Sequence, residues 1–511
     1  MKLKGKAIEI LEKLTPDEIS LFRKFLASPF FNTNSALVLL AETMLKYHPR
    51  FEGKAFTTRN VYQKAFKGRS YNDKVMKNLM SSLYSLLKVF LAHQKLQSRT
   101  AGYGAEAAGE LMKRNLAAIA SMQVNKSLKE LAEDKAFDDS DFRLLSSLKK
   151  TETLTITALK GQQFAADSAI SSAEAALCNF MLSAIGAYNY VISNEFNYNI
   201  KSELEVPGLF FSHVDLSSFK SRLNINEDRG IRLFVYAEIL ELLKNRYNLE
   251  PGSVKKICEM LTLNKHLFGK RTLSMLVPIL QNYYYANIGK GSSNLLHDVF
   301  ELIEFSLAEK LYKESDSQYM PYLLFQNILS IAFWLDKINW AEEFISVYSN
   351  ELPPEIRSGA VNHSMARLYY QKNDFSKSLT YLVKAEESDS MDKFHIKGMI
   401  MNCHYELGNN EEFFLAVDSF TKFLSGNRKV NEIHRKHQME YIRIMSQLIK
   451  YRLKDKPLGI EDTNELEKLH RFITDSNVLT PKDYLLKKTR ELIDGWQKDF
   501  SSGSGLHNPV K

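Results

Sequence analysis

The sequence predicts an all-α fold: an N-terminal helical module followed by an α-solenoid of helix pairs. Three observations carry that expectation. Gly (22) and Pro (12) are scarce in 511 residues, and no proline occurs between Arg50 and Val206, so nothing interrupts long helices there. Apolar residues recur at helical rather than strand period, and no alternating run is long enough to build a sheet. From about Gly230 to Arg452, amphipathic segments come in pairs separated by short polar turns, a pattern that suggests stacked repeats. The length exceeds what one core serves, so several domains or an extended array is the prior. The expected divisions are a module at 1–97, a helical middle region at 98–228, repeats at 229–455, C-terminal helices at 456–500 and a flexible tail at 501–511.

In the module, Thr15-Pro16-Asp17-Glu18 is a helix start, with a threonine cap, proline in the first turn and glutamate at the capping-box position. Ile19, Phe22, Phe25 and Leu26 give the helical period, and Ser28-Pro29 ends it. Phe30 and Phe31 follow, and Asn32 or Asn34 caps the next helix. Both rings are expected to be buried at this corner, so that Phe30→Ala would cost about 3–5 kcal/mol. The next helix carries Leu37, Leu40, Met44 and Leu45 and ends near His48-Pro49. A third runs from about Thr57 to Phe66, with Gly68 beyond it. Asn72 caps a fourth, whose apolar stripe is Val75, Met76, Leu79, Met80, Leu83, Leu86, Leu87, Phe90 and Leu91. AGYGAEAAGELM, from Ala101 to Met112, reads as a soft junction. The turns expected in the repeat region are EPGS at 250–253, GKGSS at 289–293, LPPE at 352–355 and LGNN at 407–410.

Charge is uneven. Residues 1–100 hold 18 Lys+Arg and 7 Asp+Glu, a balance of +11; the rest of the chain holds 50 against 53, or −3. A basic head on a near-neutral body suits an anionic partner. The fourth helix has Lys74, Lys77, Asn78, Ser81, Ser82, Ser85 and Lys88 on its polar face, with Asp73 as its only acid. With Arg59 and Lys64 before it and Lys67-Gly68-Arg69 between, the pair resembles a helix-turn-helix, with lysines for phosphates and Asn/Ser for base edges. The link is longer than the usual tight turn, and a plain solvated face is the alternative.

The longest uncharged run, Ala175 to Asn194, contains three Asn, two Ser and a Gly. It reads as a buried helix and not as a membrane span. Cys178, Cys258 and Cys403 make no metal spacing and no even disulfide set, so they are expected to be idle thiols in a reducing compartment. The N-terminus has no signal-peptide pattern, and a cytoplasmic location without membrane contact is expected.

Motifs with chemistry are weak. His434 and His437 share a helix face at i, i+3, but the HExxH form is absent and no third ligand is evident. Gly289-Lys290-Gly291-Ser292-Ser293 lacks the phosphate-loop spacing and a preceding strand. No nucleophile–base grouping is evident, so no enzyme activity and no cofactor or metal is expected.

The clearest unit is NHSMARLYYQKNDFSKSLTYLVKAEESDS, Asn362 to Ser390. Met365, Ala366 and Tyr369 occupy the large–small–aromatic positions of a first helix. Ser378, Leu382 and Ala385 occupy those of a second, and Asn373-Asp374-Phe375 makes the turn. This resembles a tetratricopeptide (TPR) repeat. The next unit is offset by 405 − 370 = 35 residues, with Tyr405 matching Tyr370 and Gly408 at the turn, although Met401 and Phe413 stand where small residues belong. The preceding unit keeps an aromatic re-entry at Trp340 and closing prolines. The module, with KFLASPFFN and KGRSYNDKVMKNLMSSLYSLL, is also similar to uncharacterised bacterial helical-repeat proteins, which carries no function to transfer. What the TPR resemblance implies is a concave groove lined by first helices, with Arg367, Tyr370, Gln371, Asn402, Tyr405 and Glu406 as protein-binding residues. The alternative is that the two tyrosines pack between repeats. The function expected is a non-enzymatic scaffold or adaptor that binds a protein or peptide in that groove. The second expectation is a transcription regulator whose N-terminal module binds DNA and whose TPR-like body senses a signal.

Overall fold

The computed structural model describes residues 3–97, 100–133, 136–198, 205–288, 294–313, 318–385, 390–426, 432–454, 459–476 and 482–503. Its regular structure is helical, with one isolated parallel bridge, Phe137 to Phe268, and no longer strand among the described residues. The all-α expectation holds. The GKGSS turn lies outside the described residues, as does the tail from 504. The chain forms two compact units, Met1–Arg246 with Leu263–Thr272, and Tyr247–Thr262 with Leu273–Lys511.

In the first unit, α1 (Lys6–Leu11), α2 (Pro16–Ala27), α3 (Ser35–Leu45), α4 (Thr58–Ala65) and α5 (Asp73–Gln97) share one core. The caps are those the sequence announces. Thr15 and Glu18 form the capping box, the Asn34 side chain accepts from the Ala36 and Leu37 amides, Thr57 caps α4, and Asn72 accepts from Val75 N. The stripe on α5 is narrower than its pattern suggests. Met76, Leu79, Leu83, Leu86, Leu87 and Phe90 are buried, while Val75 and Leu91 at its margins are exposed.

The corner after α2 corrects an expectation. Phe31 stacks on Phe25 at 4.0 Å between centroids, but Phe30 is 88% exposed. Asparagine chemistry sets this. Asn32 Nδ2 donates to Leu26 O at 2.9 Å and Asn34 N donates to Asn32 Oδ1 at 3.0 Å, which fixes a turn that sends one ring inward and its neighbour out.

The unit continues with α6 (Thr100–Lys113), α7 (Ala117–Glu133), α8 (Asp139–Lys160), α9 (Ala166–Tyr198), α10 (Glu205–His213), α11 (Leu216–Ser221) and α12 (Asp228–Lys244). The stretch read as a soft junction is α6. Its small residues let α7 approach closely, and a Cβ on Gly104 would lie 2.1 Å from Ser127 Oγ. Of α9, the segment Ala166–Glu195 is long and apolar enough to cross a membrane by length and composition. Here α9 packs on α8 and α12 with Cys178, Met181, Leu182 and Ile185 buried.

The second unit holds α13 (Pro251–Leu263, up to Thr262), α14 (Lys270–Asn287, from Leu273), α15 (Asn294–Ala308), α16 (Tyr322–Trp334), α17 (Ile338–Tyr348), α18 (Pro354–Gln371), α19 (Phe375–Lys384), α20 (Ser390–Leu407), α21 (Asn410–Gly426), α22 (Glu432–Arg452), α23 (Ile460–Asp475) and α24 (Lys482–Gly503). From α15 to α22 each helix packs on the next in sequence, and α24 packs on both α22 and α23. The turn between α18 and α19 uses Asn373 at φ 57° and Asp374 as the cap of α19, accepting from Lys377 N. Between α20 and α21, Gly408 supplies the left-handed turn at φ 74°. Met401 and Phe413, oversized for the repeat pattern, are fully buried in one cluster with Tyr405, Phe420, Tyr441 and Leu448.

Candidate interaction site

The six residues implied by the TPR resemblance divide between two places in the second unit. Arg367, on α18, faces α16. Its Nη1 donates to Gln326 Oε1 at 2.8 Å and Gln326 O at 3.2 Å, its Nη2 donates to Ser330 Oγ at 2.8 Å, and its guanidinium lies 5.3 Å from the Phe333 ring. Burial among these neutral partners pushes its pKa down to about 10. Beside it, His363 meets the Tyr322 hydroxyl at 2.8 Å and is buried, with Nε2 unpartnered. Burial first, then the charge of Arg367 and of His395, pushes His363 down to about 3. Gln371 is exposed at the C-terminal end of the same face.

Tyr370, Asn402, Tyr405 and Glu406 form the second place, where α18 and α20 meet α22 and α24. Tyr441 on α22 donates its hydroxyl to Asn402 Oδ1 at 2.8 Å. The Tyr370 hydroxyl lies close to Asn402 and Tyr484. Tyr484, on α24, donates its hydroxyl to Glu406 Oε1 at 2.7 Å. Lys488, one turn along α24, lies 2.9 Å from Glu406 Oε1 and 3.0 Å from Oε2, and 2.8 Å from Glu491 Oε2. The Lys488 and Glu406 side chains are 8% and 13% exposed. Tyr405 is buried, its carbonyl accepts from Arg452 Nη1, and its ring lies 5.2 Å from that guanidinium.

Burial drives the electrostatics of this cluster. It raises the hydroxyl pKa values of Tyr370, Tyr441 and Tyr484, so all three phenols stay neutral donors, and it pushes Tyr405 up to about 12. The cluster is a set of oriented hydroxyl, amide and carboxylate groups spanning alternate helices. Sequence reasoning found the α18 and α20 members through repeat spacing and missed Tyr441, Tyr484 and Lys488. The Tyr484–Lys488 spacing of i, i+4 on an amphipathic segment was the available signal.

In the first unit, the basic face of α5 is exposed at Lys74, Lys77, Asn78, Ser81, Ser82, Ser85 and Lys88, as are Arg59, Lys64 and Lys67. Lys77 pairs with Asp73 at 2.7 Å. The α4 helix packs more on α3 than on α5, unlike the two helices of a tight helix-turn-helix. This unit also contains a cavity of about 440 Å³ lined by Thr100, Glu130, Phe137, Asp138, Asp141 and Lys270, among others. Two of its carboxylates hold backbone. Asp138 Oδ1 accepts from Thr272 N at 2.7 Å, and Asp141 Oδ2 accepts from Asp138 N at 2.9 Å. Gly269 fits here because a Cβ would sit 2.3 Å from Asp138 Oδ1.

The remaining sequence candidates lie apart from both places. His434 is exposed and His437 half-buried on α22, and among the described residues no group of three or more His, Cys, Asp or Glu gathers to hold a metal. Cys178 and Cys403 are buried and Cys258 half-buried; burial pushes the first and third up to about 12 and Cys403 to about 11. No family model, curated protein or solved structure matches the chain.

Proposed function

We propose that the protein is a non-enzymatic interaction scaffold, a TPR-like solenoid that binds a protein segment on the face shared by α18, α20 and α22. One observation carries this reading. Tyr441 of α22 donates to Asn402 of α20, and Tyr370 of α18 lies close to Asn402, so one polar row crosses alternate helices, as first helices of successive repeats would place it. Two aromatic hydroxyls, an amide and a carboxylate along one row offer directional contacts for a helical ligand, and tyrosines supply rigid area at low entropic cost. We take the cytoplasm as its compartment, a reading supported by three unpaired cysteines.

The test uses Gln371, which is exposed on α18 next to Tyr370 in the chain, and Val383, which is exposed on α19. A photo-crosslinking residue at 371 is expected to trap a partner that the same residue at 383 does not. Equal trapping at the two positions would refute the assignment.

A second reading has its own observation, the exposed basic row from Lys74 to Lys88. It supports contact between the N-terminal module and a nucleic-acid backbone. Replacing Lys74, Lys77 and Lys88 by glutamine should lower the salt slope of duplex DNA binding by about 0.9 per lost phosphate contact. An unchanged slope would dispose of this reading.

A further inference from the structure

The contacts of α24 carry an inference about the partner. This helix packs on α22 and α23, as its position in the chain leads one to expect. Leu485 and Ile493 are buried in the cluster of those helices, and Thr489 Oγ1 meets His470 Nδ1 of α23 at 2.8 Å. Yet Tyr484 and Lys488 reach past α22. They meet Glu406 on α20, 78 and 82 residues earlier, and Tyr484 lies close to Tyr370 of α18. These are the groups proposed above as the recognition face. The face is therefore occupied, and its occupant is a helix of this chain.

We propose that the Tyr370–Asn402–Glu406 face is a receptor for an amphipathic helix, that α24 fills it in cis, and that the partner is a protein helix carrying an aromatic hydroxyl and, four residues on, a lysine. This rests on the scaffold reading and names its ligand. The chemistry follows from what the face offers. Glu406 accepts from a hydroxyl on one oxygen and from an ammonium on both, and a helix presents two such donors together only at i, i+3 or i, i+4. A phenylalanine at the place of Tyr484 would take one donor from the nearly buried Glu406, so the hydroxyl discriminates. The ion pair is nearly buried, and such pairs act through specificity more than through net stability. A face whose cis ligand is held by polar pairing suits exchange for a ligand of the same pattern.

The experiment uses the full chain and a fluorescein-labelled peptide of residues 482–503. Anisotropy is measured with the wild-type chain and with Tyr484→Ala/Lys488→Ala, which gives up the cis contacts to α18 and α20. The substituted chain is expected to bind the peptide at least 10-fold more tightly than the wild type. Adding Glu406→Lys to it should abolish binding, and a peptide with Lys488→Glu should restore it. A folded variant that does not bind, or binding indifferent to the charge at 406, would overturn the proposal. If the variant does not fold, hydrogen exchange of the wild-type chain decides. Excess unlabelled peptide should speed exchange across α24, and exchange unchanged by peptide would refute the proposal. If α24 protection instead rises with protein concentration as the chain dimerises, the occupant is a second copy and the partner assignment fails. Charge-dependent peptide binding with no selective crosslink at 371 would remove the scaffold reading and leave the helix receptor standing.

Discussion

Replacing Glu406 tests how the α18–α20–α24 cluster is held. Glu406→Ala removes both oxygens that accept from Tyr484 and Lys488. Removing one partner of a buried ion pair costs about 3–5 kcal/mol, because the other charge stays desolvated. Leaving the Tyr484 hydroxyl without its acceptor adds about 1 kcal/mol. Lys488 keeps Glu491 at 2.8 Å, but that carboxylate is half-exposed and offsets only about 1 kcal/mol. The expected loss is therefore about 3–5 kcal/mol. Lys488→Met should cost less, about 2–4 kcal/mol, since Tyr484 still donates to the carboxylate. The double variant Glu406→Leu/Lys488→Met removes both charges and should lie within about 1 kcal/mol of the parent or above it. A chain with two units will not melt in one step, so amide exchange in α20 and α24 under increasing urea is the appropriate measurement. Single-variant losses that simply add, with coupling below about 0.5 kcal/mol, would refute the account.

Phe22→Ala should destabilise the N-terminal helices by about 3–5 kcal/mol, whereas Phe30→Ala should stay within about 0.5 kcal/mol, as urea melts of the two variants would show. His363 gives the second unit an acid sensitivity of definite sign. Its folded value of about 3 lies below the ordinary one, so the unfolded chain binds more protons between those values. Stability is full above about pH 6.5 and falls with pH, by about 2 kcal/mol at pH 5. His363→Gln should flatten that slope in unfolding midpoints measured against pH. The thiols should be inert in the native protein at pH 8, where a pKa of about 12 leaves roughly one part in ten thousand of Cys178 ionised, and should react with a disulfide reagent only on unfolding.

The helix starts of the module and of α19 were legible because their signals are local. Thr15 with Glu18, Asn34, Thr57, Asn72 and Asp374 each act within three residues of their own position. Phe30 was not legible. Two adjacent aromatics in a turn have no periodicity to say which faces inward, and the Asn32 side chain decides it. The small residues of α6 look like a linker until α7 is seen against them. At the candidate site, repeat spacing located Tyr370, Asn402, Tyr405 and Glu406. The depth at which they lie depends on Tyr441, Tyr484 and Lys488, partners 39 to 82 positions away that no local pattern could connect.

The distance along the chain between Glu406 and Lys488 also has a consequence in time. A ribosome adding about 5–20 residues per second needs several seconds to cover the 82 positions between them. During that interval α18 and α20 are already made, and the face that α24 later covers has no cis ligand. A partner helix present at synthesis would meet this face before its intramolecular competitor exists, so binding during translation and binding to the finished chain should differ in rate.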